Sequence, residues 1–121
     1  MILKGIVHPQ DAKLALQYGV QGLIISNHGG RVLDTCISPL TALQLIKKVV
    51  PTDFPLILDG GIRRGSDVFK AIALGATAVC IGRPYIYGLA TAGALGVAHV
   101  LKILKEEFEI TMVLMGTATV N

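Results

Sequence analysis

The chain has 121 residues, the length of one domain or of part of one. Charged residues make up only 16% of it and its mean hydropathy is +0.63, which is unusually apolar for a free-standing soluble domain. The net charge of +3 comes without a basic run and Trp is absent, so the composition does not indicate a nucleic-acid partner.

Short apolar runs alternate with helical segments through the first half of the chain. The predicted elements are a strand over residues 2–7, a helix over 9–18, a strand over 22–26, a loop over 27–39, and a helix that Ser38 caps and that runs to about Val50. Pro9 lies in the first turn of the first helix, and Gly19 closes that helix. A loop of about a dozen residues is long enough that a functional role is expected.

The second half repeats this alternation. The predicted elements are a strand over residues 56–58, a helix over 66–74, a strand over 77–81, a short helix to about Ala92 and an amphipathic helix from there to Met115. The last helix is expected to turn Val97, Val100, Leu101, Leu104 and Phe108 inward, with Gly116 as its C-cap. Four strands alternating with helices predict a parallel sheet with right-handed crossovers.

An internal repeat supports the same organisation. The sequence aligns with itself without gaps when Lys4-Gly5-Ile6 is placed on Gly60-Gly61-Ile62, and residues 23–27 then fall on residues 79–83. Each copy therefore contains a strand, a helix, a strand and a helix.

Polar and glycine residues follow the end of every predicted strand. Asp59 is followed by two glycines, two arginines and a helix start, a pattern that favours an anion, most often phosphate. An ordinary strand-to-helix turn with solvated arginines is the alternative interpretation. A second glycine-arginine turn, Gly82-Arg83, follows the fourth strand. Motifs gathered at the carboxyl ends of parallel strands are typical of a (β/α) barrel, whose last two loops form its usual phosphate site.

Four motifs, taken together, match a known family. Lys4-Gly5, Ser26-Asn-His-Gly-Gly-Arg31, Asp59-Gly-Gly-Ile-Arg-Arg-Gly65 and Gly82-Arg-Pro84 occur in order and at matching spacing. Together they resemble the FMN-dependent α-hydroxy-acid oxidases and dehydrogenases, such as glycolate oxidase and lactate oxidase. The resemblance implies an α/β fold of the (β/α)8 TIM-barrel type. Residues 1–121 would be its C-terminal half, four βα units plus the C-terminal helix.

The resemblance also implies a reaction. FMN would oxidise a small (S)-2-hydroxy acid of the glycolate or L-lactate class to the 2-oxo acid, and oxygen or another acceptor would reoxidise the flavin. His28 would bind the substrate and act as the base, a role that suits an imidazole. Arg31 would bind the substrate carboxylate with its planar fork.

The remaining motif residues would bind the cofactor. The resemblance implies FMN contacts for Lys4, Ser26, Asp59, Gly60, Gly61, Ile62, Arg63, Gly82 and Arg83. Lys4 would stabilise the anionic reduced ring, Ser26 would donate a hydrogen bond to the flavin, Asp59 would bind ribityl hydroxyls, and the two glycine-arginine turns would wrap the phosphate. No cluster of residues has metal-ligand spacing, so no metal is predicted.

Two other interpretations stay open. The chain could be a truncated, non-catalytic fragment or an assembly partner of such an enzyme, or a phosphate-binding TIM-barrel enzyme of another class. A half-barrel leaves strand edges and an apolar face uncovered, so self-association or complementation by an N-terminal half is expected. The chain shows no signal peptide, no apolar stretch long enough for a bilayer and no C-terminal peroxisomal tripeptide, which predicts a cytoplasmic protein without membrane association.

Overall fold

A computed structural model of the chain describes residues 1–120. Its elements are β1 (Ile2–Lys4), α1 (Pro9–Gln17), β2 (Gly22–Ser26), a short 3-10 turn (His28–Gly30), α2 (Pro39–Lys47), β3 (Leu56–Asp59), α3 (Gly65–Ala73), β4 (Ala78–Cys80) and α4 (Arg83–Leu114). Every predicted helix and strand is present. β1 is shorter than predicted because Gly5, with φ of 96°, turns the chain out of the sheet.

The four strands form one parallel sheet in the order β1-β2-β3-β4, which confirms the predicted parallel sheet. One row of neighbouring residues runs Lys4, Ile24, Ile57 and Ala78 across the four strands. Right-handed crossovers between strands that stay in chain order place all the connecting helices on the same face. This is the arrangement of a barrel wall and not of a doubly wound sheet.

The core lies between the sheet and this helix layer. Side chains on the helix-facing side of β2 and β3 are fully or almost fully buried, and so are small and aliphatic residues of the helices: Leu23, Ile25, Leu56, Leu58, Ala12, Ala42, Leu43, Ile46 and Ala71. We call the other side of the sheet the open face; it carries Ile2, Lys4, Ile24, Ser26, Ile57, Asp59, Ala78 and Cys80. Ile2 on this face is 54% exposed.

Helix α4 is broken near its start, as the sequence predicted. Ala92 and Gly93 have non-helical backbone angles, and Gly88 and Gly96 on either side of this kink approach so closely that a Cβ on Gly96 would lie 1.9 Å from the Gly88 carbonyl oxygen. Leu104 is buried at the inner side of the second segment. Leu101, expected to point inward, is instead 46% exposed, because only part of the predicted stripe meets the rest of the chain.

By length and composition, α4 is the one helix within residues 1–120 that could cross a membrane. The kink divides it into residues 83–91 and 94–114. The first segment is far shorter than the roughly 20 residues that a span needs. The second contains two lysines and three glutamates.

The two repeats match closely in backbone hydrogen bonding, with one offset. In the first repeat the Tyr18 amide donates to the Leu14 carbonyl at 3.2 Å, and at the equivalent place in the second repeat the Leu74 amide donates to the Lys70 carbonyl at 3.0 Å. The bonds that lead into the second strand of each repeat run from Gln21 to Met1 and from Thr77 to Leu56. The gapless alignment would place Ile57, and not Leu56, opposite Met1, so the first strands of the two repeats are offset by one position.

This offset corrects one detail of the sequence alignment. Lys4 pairs with Ile24, and Asp59 pairs with Cys80, the counterpart of Ile24. Lys4 therefore corresponds to Asp59 and not to Gly60. The physical reason is that strand side chains alternate between faces, so a shift of one residue would place Lys4 and its counterpart on opposite sides of the sheet.

Candidate functional site

The carboxyl ends of all four strands meet at one rim and form a cleft of about 750 Å³. Because the strands are parallel and in chain order, the residues that follow them are brought side by side. Nearly all of the sequence-predicted site residues line this cleft: Lys4, His28, Arg31, Asp59, Gly60, Gly61, Ile62, Arg63, Gly82 and Arg83. The structure therefore brings together residues from near the start of the chain and from its last third.

Ser26 is the exception among the predicted residues, since it lies beneath the cleft surface and is 4% exposed. Its hydroxyl donates to Asp59 Oδ2 at 2.6 Å and lies 3.1 Å from Lys4 Nζ. It also accepts a hydrogen bond from the His28 amide at 3.1 Å. In this arrangement its proton is directed at Asp59, so Ser26 joins three rim residues together.

Lys4 and Asp59 form an ion pair above Ser26. Burial by itself would raise the pKa of Asp59, but hydrogen bonds from Lys4 and Ser26 and the charges of Lys4 and His28 together hold it below its usual value. The carboxylate is therefore ionised throughout the neutral range. The neighbouring Cys80 thiol has a raised pKa, because of burial and of the Asp59 charge, and stays protonated there.

His28 sits in a tight turn held by its neighbours. The Asn27 side-chain oxygen accepts a hydrogen bond from the Gly29 amide at 3.0 Å, which bends the chain directly after β2. His28 has φ of 56° and is the one residue other than glycine with a positive φ among residues 1–120. Such a conformation is uncommon for a residue with a side chain, and it concentrates at functional sites.

The turn leaves the two predicted substrate-binding side chains free to act. Within residues 1–120 no group hydrogen-bonds the His28 imidazole or the Arg31 guanidinium, and both residues are exposed. Asn27 was among the polar residues noted after the second strand, but no role was predicted for it, although an asparagine before a His-Gly-Gly segment is a recognisable turn signal. It shapes the turn that presents His28.

The glycine turn after β3 adopts left-handed geometry, with φ of 108° at Gly60 and 84° at Gly61. Arg63 lines the cleft and is exposed, while Ile62 is buried and anchors the turn. A Cβ on Gly61 would meet no atom of the chain within 4 Å. The space beside this turn is therefore open to a bound group.

The N-terminus of α3 is already occupied by the chain's own carboxylates. Asp67 Oδ2 accepts from the amides of Arg63 and Arg64 at 3.0 Å each, and Glu107 Oε2 accepts from the Gly65 amide at 2.8 Å. Glu107 also lies 3.3 Å from the guanidinium of Arg64. The sequence pattern favoured an anion at this helix start, but its amides already have partners within the chain.

The role of Glu107 has no direct sign in the sequence, where this residue is one of several polar residues on the outer side of α4. Gly65 is the only indirect signal. A Cβ there would lie 2.1 Å from the Phe108 amide nitrogen, so the glycine permits α3 and α4 to touch. A glycine marks such an approach but does not say which distant helix makes it.

The N-terminus of α4, in contrast, opens onto the cleft without a side-chain cap. Its N-cap is Gly82, where a Cβ would meet no atom within 4 Å, so packing within the chain does not exclude a side chain there. Arg83 follows and donates to the Gly29 carbonyl at 2.7 Å, linking this turn to the His28 turn. Uncapped helix amides beside an arginine and a glycine form a cradle suited to a phosphate group.

The donor set fits an organic phosphate better than a metal ion. Within residues 1–120 no group of three His, Cys, Asp or Glu side chains is placed to hold a metal. The cleft instead combines glycine turns, Arg63 and Arg83 at one end with Lys4, His28 and Arg31 at the other. Such a division suits a cofactor phosphate beside an anionic substrate.

Known proteins match the chain over its whole length. The profile of a family described as FMN-dependent dehydrogenase matches residues 1–121. A 2-hydroxyacid oxidase of Dictyostelium discoideum is 57% identical over 121 residues, which is 100% of this chain and 31% of that protein. An L-lactate oxidase of Lysinibacillus sphaericus is 52% identical, with the same coverage of 100% and 31%. The glycolate oxidase of Spinacia oleracea is 48% identical over 116 residues, 96% of this chain and 31% of that one.

Solved structures show the same likeness and the same partial coverage. A mandelate oxidase crystallised with benzoyl-formic acid superposes with a TM-score of 0.93 and 44% identity, covering 98% of this chain and 36% of that chain. The chain thus spans about a third of the length of the proteins it matches. The predicted four βα units are present, and by length they correspond to about a third of such a protein.

Proposed function

The chain belongs to the FMN-dependent dehydrogenase family, and on this premise we propose that it carries the phosphate, base and carboxylate-binding elements of a site that oxidises a small (S)-2-hydroxy acid of the glycolate or L-lactate class. The product is the corresponding 2-oxo acid. The observation that supports this most is the convergence on one cleft of residues from all four strand ends.

Arg31 binds the substrate and His28 acts as the base. Both are exposed in the cleft and neither side chain has a hydrogen-bond partner within residues 1–120, so both are available to a small acid. Arg31 binds the carboxylate through its paired N–H groups, which fixes the substrate's orientation. His28 then takes up the proton that leaves the 2-hydroxy acid as that acid is oxidised.

The rest of the cleft fits FMN. When bound, FMN accepts the two electrons that the hydroxy acid loses. Its phosphate would lie at the uncapped start of α4, bound by Arg63 and Arg83. Gly61 and Gly82 would leave open space for it, because a Cβ on either glycine would meet no atom of the chain within 4 Å. Asp59 would accept hydrogen bonds from the ribityl hydroxyls, because its lowered pKa keeps it ionised.

Lys4 supplies positive charge at the rim, where its ammonium group reaches Asp59 and Ser26. Its ion pair with Asp59 and its contact with Ser26 hold the ammonium group at the carboxyl end of β1. A fixed charge in this position stabilises negative charge that develops during oxidation. Ser26 acts as a positioning residue here, since its hydroxyl contacts both partners and also the His28 amide.

A second candidate is a non-catalytic part of such an enzyme. It is favoured by the coverage of 31% of the Dictyostelium relative and 36% of the mandelate oxidase chain. The two candidates make different demands on the same residues. A catalytic role requires His28 and Arg31 to act on a substrate, whereas an assembly role requires only the packing of the sheet and helices.

A chimera separates these candidates. The chain replaces the matching residues of the Dictyostelium 2-hydroxyacid oxidase, and the purified chimera is tested for flavin absorbance and for oxidation of glycolate and L-lactate. We expect a yellow protein that oxidises at least one of the two acids. A folded chimera that binds FMN but oxidises neither acid contradicts the proposed substrate class. A folded chimera that binds no flavin contradicts the proposed cofactor site.

A further inference from the structure

The turn that carries His28 is fixed at its near end by Ser26. The amides of residues 28–31 all donate hydrogen bonds to groups two or three residues earlier, over distances of 3.0–3.3 Å, and these bonds set the shape of the turn. Ser26 Oγ accepts the first of them and also contacts Lys4 and Asp59. The near end of the turn is therefore tied to the ends of β1 and β3.

The far end of the turn is held by an arginine from the second repeat. Arg83 Nη2 donates to the Gly29 carbonyl at 2.7 Å, and Gly29 directly follows His28. Because the guanidinium is charged, this bond is stronger than one between neutral groups. A Cβ on Gly29 would lie 2.7 Å from the same nitrogen, so the guanidinium lies directly against this residue. The turn is thus anchored from both repeats.

Arg83 can hold this carbonyl and a phosphate at the same time. A guanidinium has five N–H donors in a planar fork, and the bond to Gly29 engages Nη2, which leaves donors for an anion at the uncapped start of α4. Arg63 is the other arginine assigned to the phosphate. Within residues 1–120 its side chain makes no hydrogen bond to the His28 turn. The two arginines therefore differ in their relation to the base.

We propose that Arg83 is a positioning residue for His28 as well as a phosphate ligand. By holding the Gly29 carbonyl, it fixes the end of the turn that Ser26 does not reach. Placement of a base matters, since about an ångström of misplacement can cost about 10²-fold in rate. One guanidinium then couples the phosphate site to the base. This inference rests on the function proposed above, which assigns the base to His28 and the phosphate to Arg83.

Kinetics of the chimera at saturating FMN test the catalytic part of the inference. The flavin concentration is raised until absorbance shows full occupancy, so that weaker phosphate binding does not contribute. Arg83→Ala should then still lower kcat for the hydroxy acid by about 10–10²-fold. In a His28→Ala background the same substitution should change kcat by less than about twofold, because residues that act as a unit are not additive. A full kcat in Arg83→Ala, or the same fold loss in both backgrounds, overturns the inference.

Hydrogen exchange gives a second measurement that needs no reaction. Deuterium uptake by the peptide that covers residues 27–31 is followed by mass spectrometry in the FMN-saturated chimera. Arg83→Ala should speed this exchange about tenfold or more, as expected when a charge-assisted hydrogen bond is lost. Arg63→Ala is the matched control, because it also removes a phosphate arginine but no bond to the turn, so it should leave this exchange unchanged. Equal exchange rates in the two variants overturn the inference.

Two glycine variants decide the question if Arg83→Ala fails to fold or to take up flavin. Gly29→Ala retains the arginine but places a Cβ 2.7 Å from its Nη2, which displaces the guanidinium from the carbonyl. Gly30→Ala is the matched control, because φ is 75° at Gly30 and 66° at Gly29, and a Cβ on Gly30 would meet no atom of the chain within 4 Å. Gly29→Ala should lower kcat about tenfold more than Gly30→Ala does. Equal losses overturn the inference.

The unmodified chimera separates this inference from the proposed function. If it binds FMN and oxidises one of the two acids, the proposed function holds and the variants alone decide the inference. If it binds FMN and oxidises neither acid, the proposed function fails together with the catalytic part of the inference. Hydrogen exchange then still decides whether Arg83 holds the turn.

Discussion

The two strand–helix–strand–helix repeats share a backbone fold and differ in the residues that each contributes to the rim. The helix-closing bond from Gly19 to Leu16 measures 3.0 Å, and its counterpart from Gly75 to Ile72 measures 2.9 Å. At the rim the first repeat presents Lys4 and the His28 turn, whereas the second repeat presents the glycine turns that precede Arg63 and Arg83. The repeated packing leaves strand ends free to differ, and in the proposed function the first repeat supplies the base and the carboxylate-binding arginine while the second binds the phosphate.

The second repeat contains a further contrast, between the starts of α3 and α4. Asp67 and Glu107 satisfy the amides at the start of α3, while the start of α4 has no side-chain cap and opens onto the cleft. Both helices carry the positive end of a helix dipole. Which of them is available to an anion is decided by capping from within the chain.

The largest effect on activity is expected from the rim residues of the first repeat. In the chimera, His28→Ala should lower kcat for the hydroxy acid by about 10²–10⁴-fold, the usual contribution of a general base, while FMN binding stays unchanged. His99→Ala is the control, because His99 is exposed on α4 and does not line the rim cleft. Steady-state oxidation and flavin absorbance measure the two properties. An unchanged kcat in the His28 variant would remove the base assigned here.

Substitution at the rim of the second repeat should instead weaken FMN binding. Arg83→Ala in the chimera should weaken FMN binding by about 1.5–3 kcal/mol, the typical value of a charge-assisted hydrogen bond, which is roughly ten- to a hundredfold in Kd. Arg64→Ala is the matched control, because this arginine pairs with Glu107 outside the cleft. Flavin fluorescence titration measures both affinities. Equal losses in the two variants would mean that binding follows overall charge and not the α4 turn.

A comparison of two glycines tests the contrast between the helix starts. Gly65→Ala should destabilise the chain by about 1–3 kcal/mol, because the new Cβ would lie 2.1 Å from the Phe108 amide nitrogen. Gly82→Ala should leave stability nearly unchanged, since a Cβ there meets no atom of the chain within 4 Å. Urea denaturation provides both free energies of unfolding. Stability losses of the same size would show that α3 and α4 do not make this contact.

The smallest effect concerns the ion pair of Lys4 and Asp59, which joins the two repeats at the rim. Because hydrogen bonds and charges hold the pKa of Asp59 below its unfolded value of about 4, the pair stabilises the fold above that pH. This stabilisation is lost as the pH falls through the lower, folded pKa. The contribution should be below about 1 kcal/mol, since Lys4 is half exposed.

Denaturation of the chain and of Asp59→Asn at neutral pH and near pH 3 measures this term. The stability difference between the two proteins should shrink at the lower pH. Asp34→Asn, at an exposed loop position, should show a difference that does not change with pH. A constant difference for Asp59→Asn would contradict the lowered pKa.

Local patterns in the sequence were sufficient to predict the elements and to single out many of the residues that line the cleft. Apolar runs, prolines at helix starts and glycines at helix ends act over a few residues, and they located every strand and helix. Parallel strands in chain order then place the residues after each strand at one rim. For this reason His28, Asp59 and Arg83 could be assigned to a common cleft before any contact was known.

Contacts between distant residues were decided only by the tertiary structure. Glu107 caps a helix that begins 42 residues earlier, and Arg83 donates to a carbonyl 54 residues away. The one-residue offset between the first strands depends on which face each side chain takes in the assembled sheet. The physical reason is that periodicity encodes the face of an element, whereas a hydrogen bond between elements depends on how far each one slides and turns when they pack.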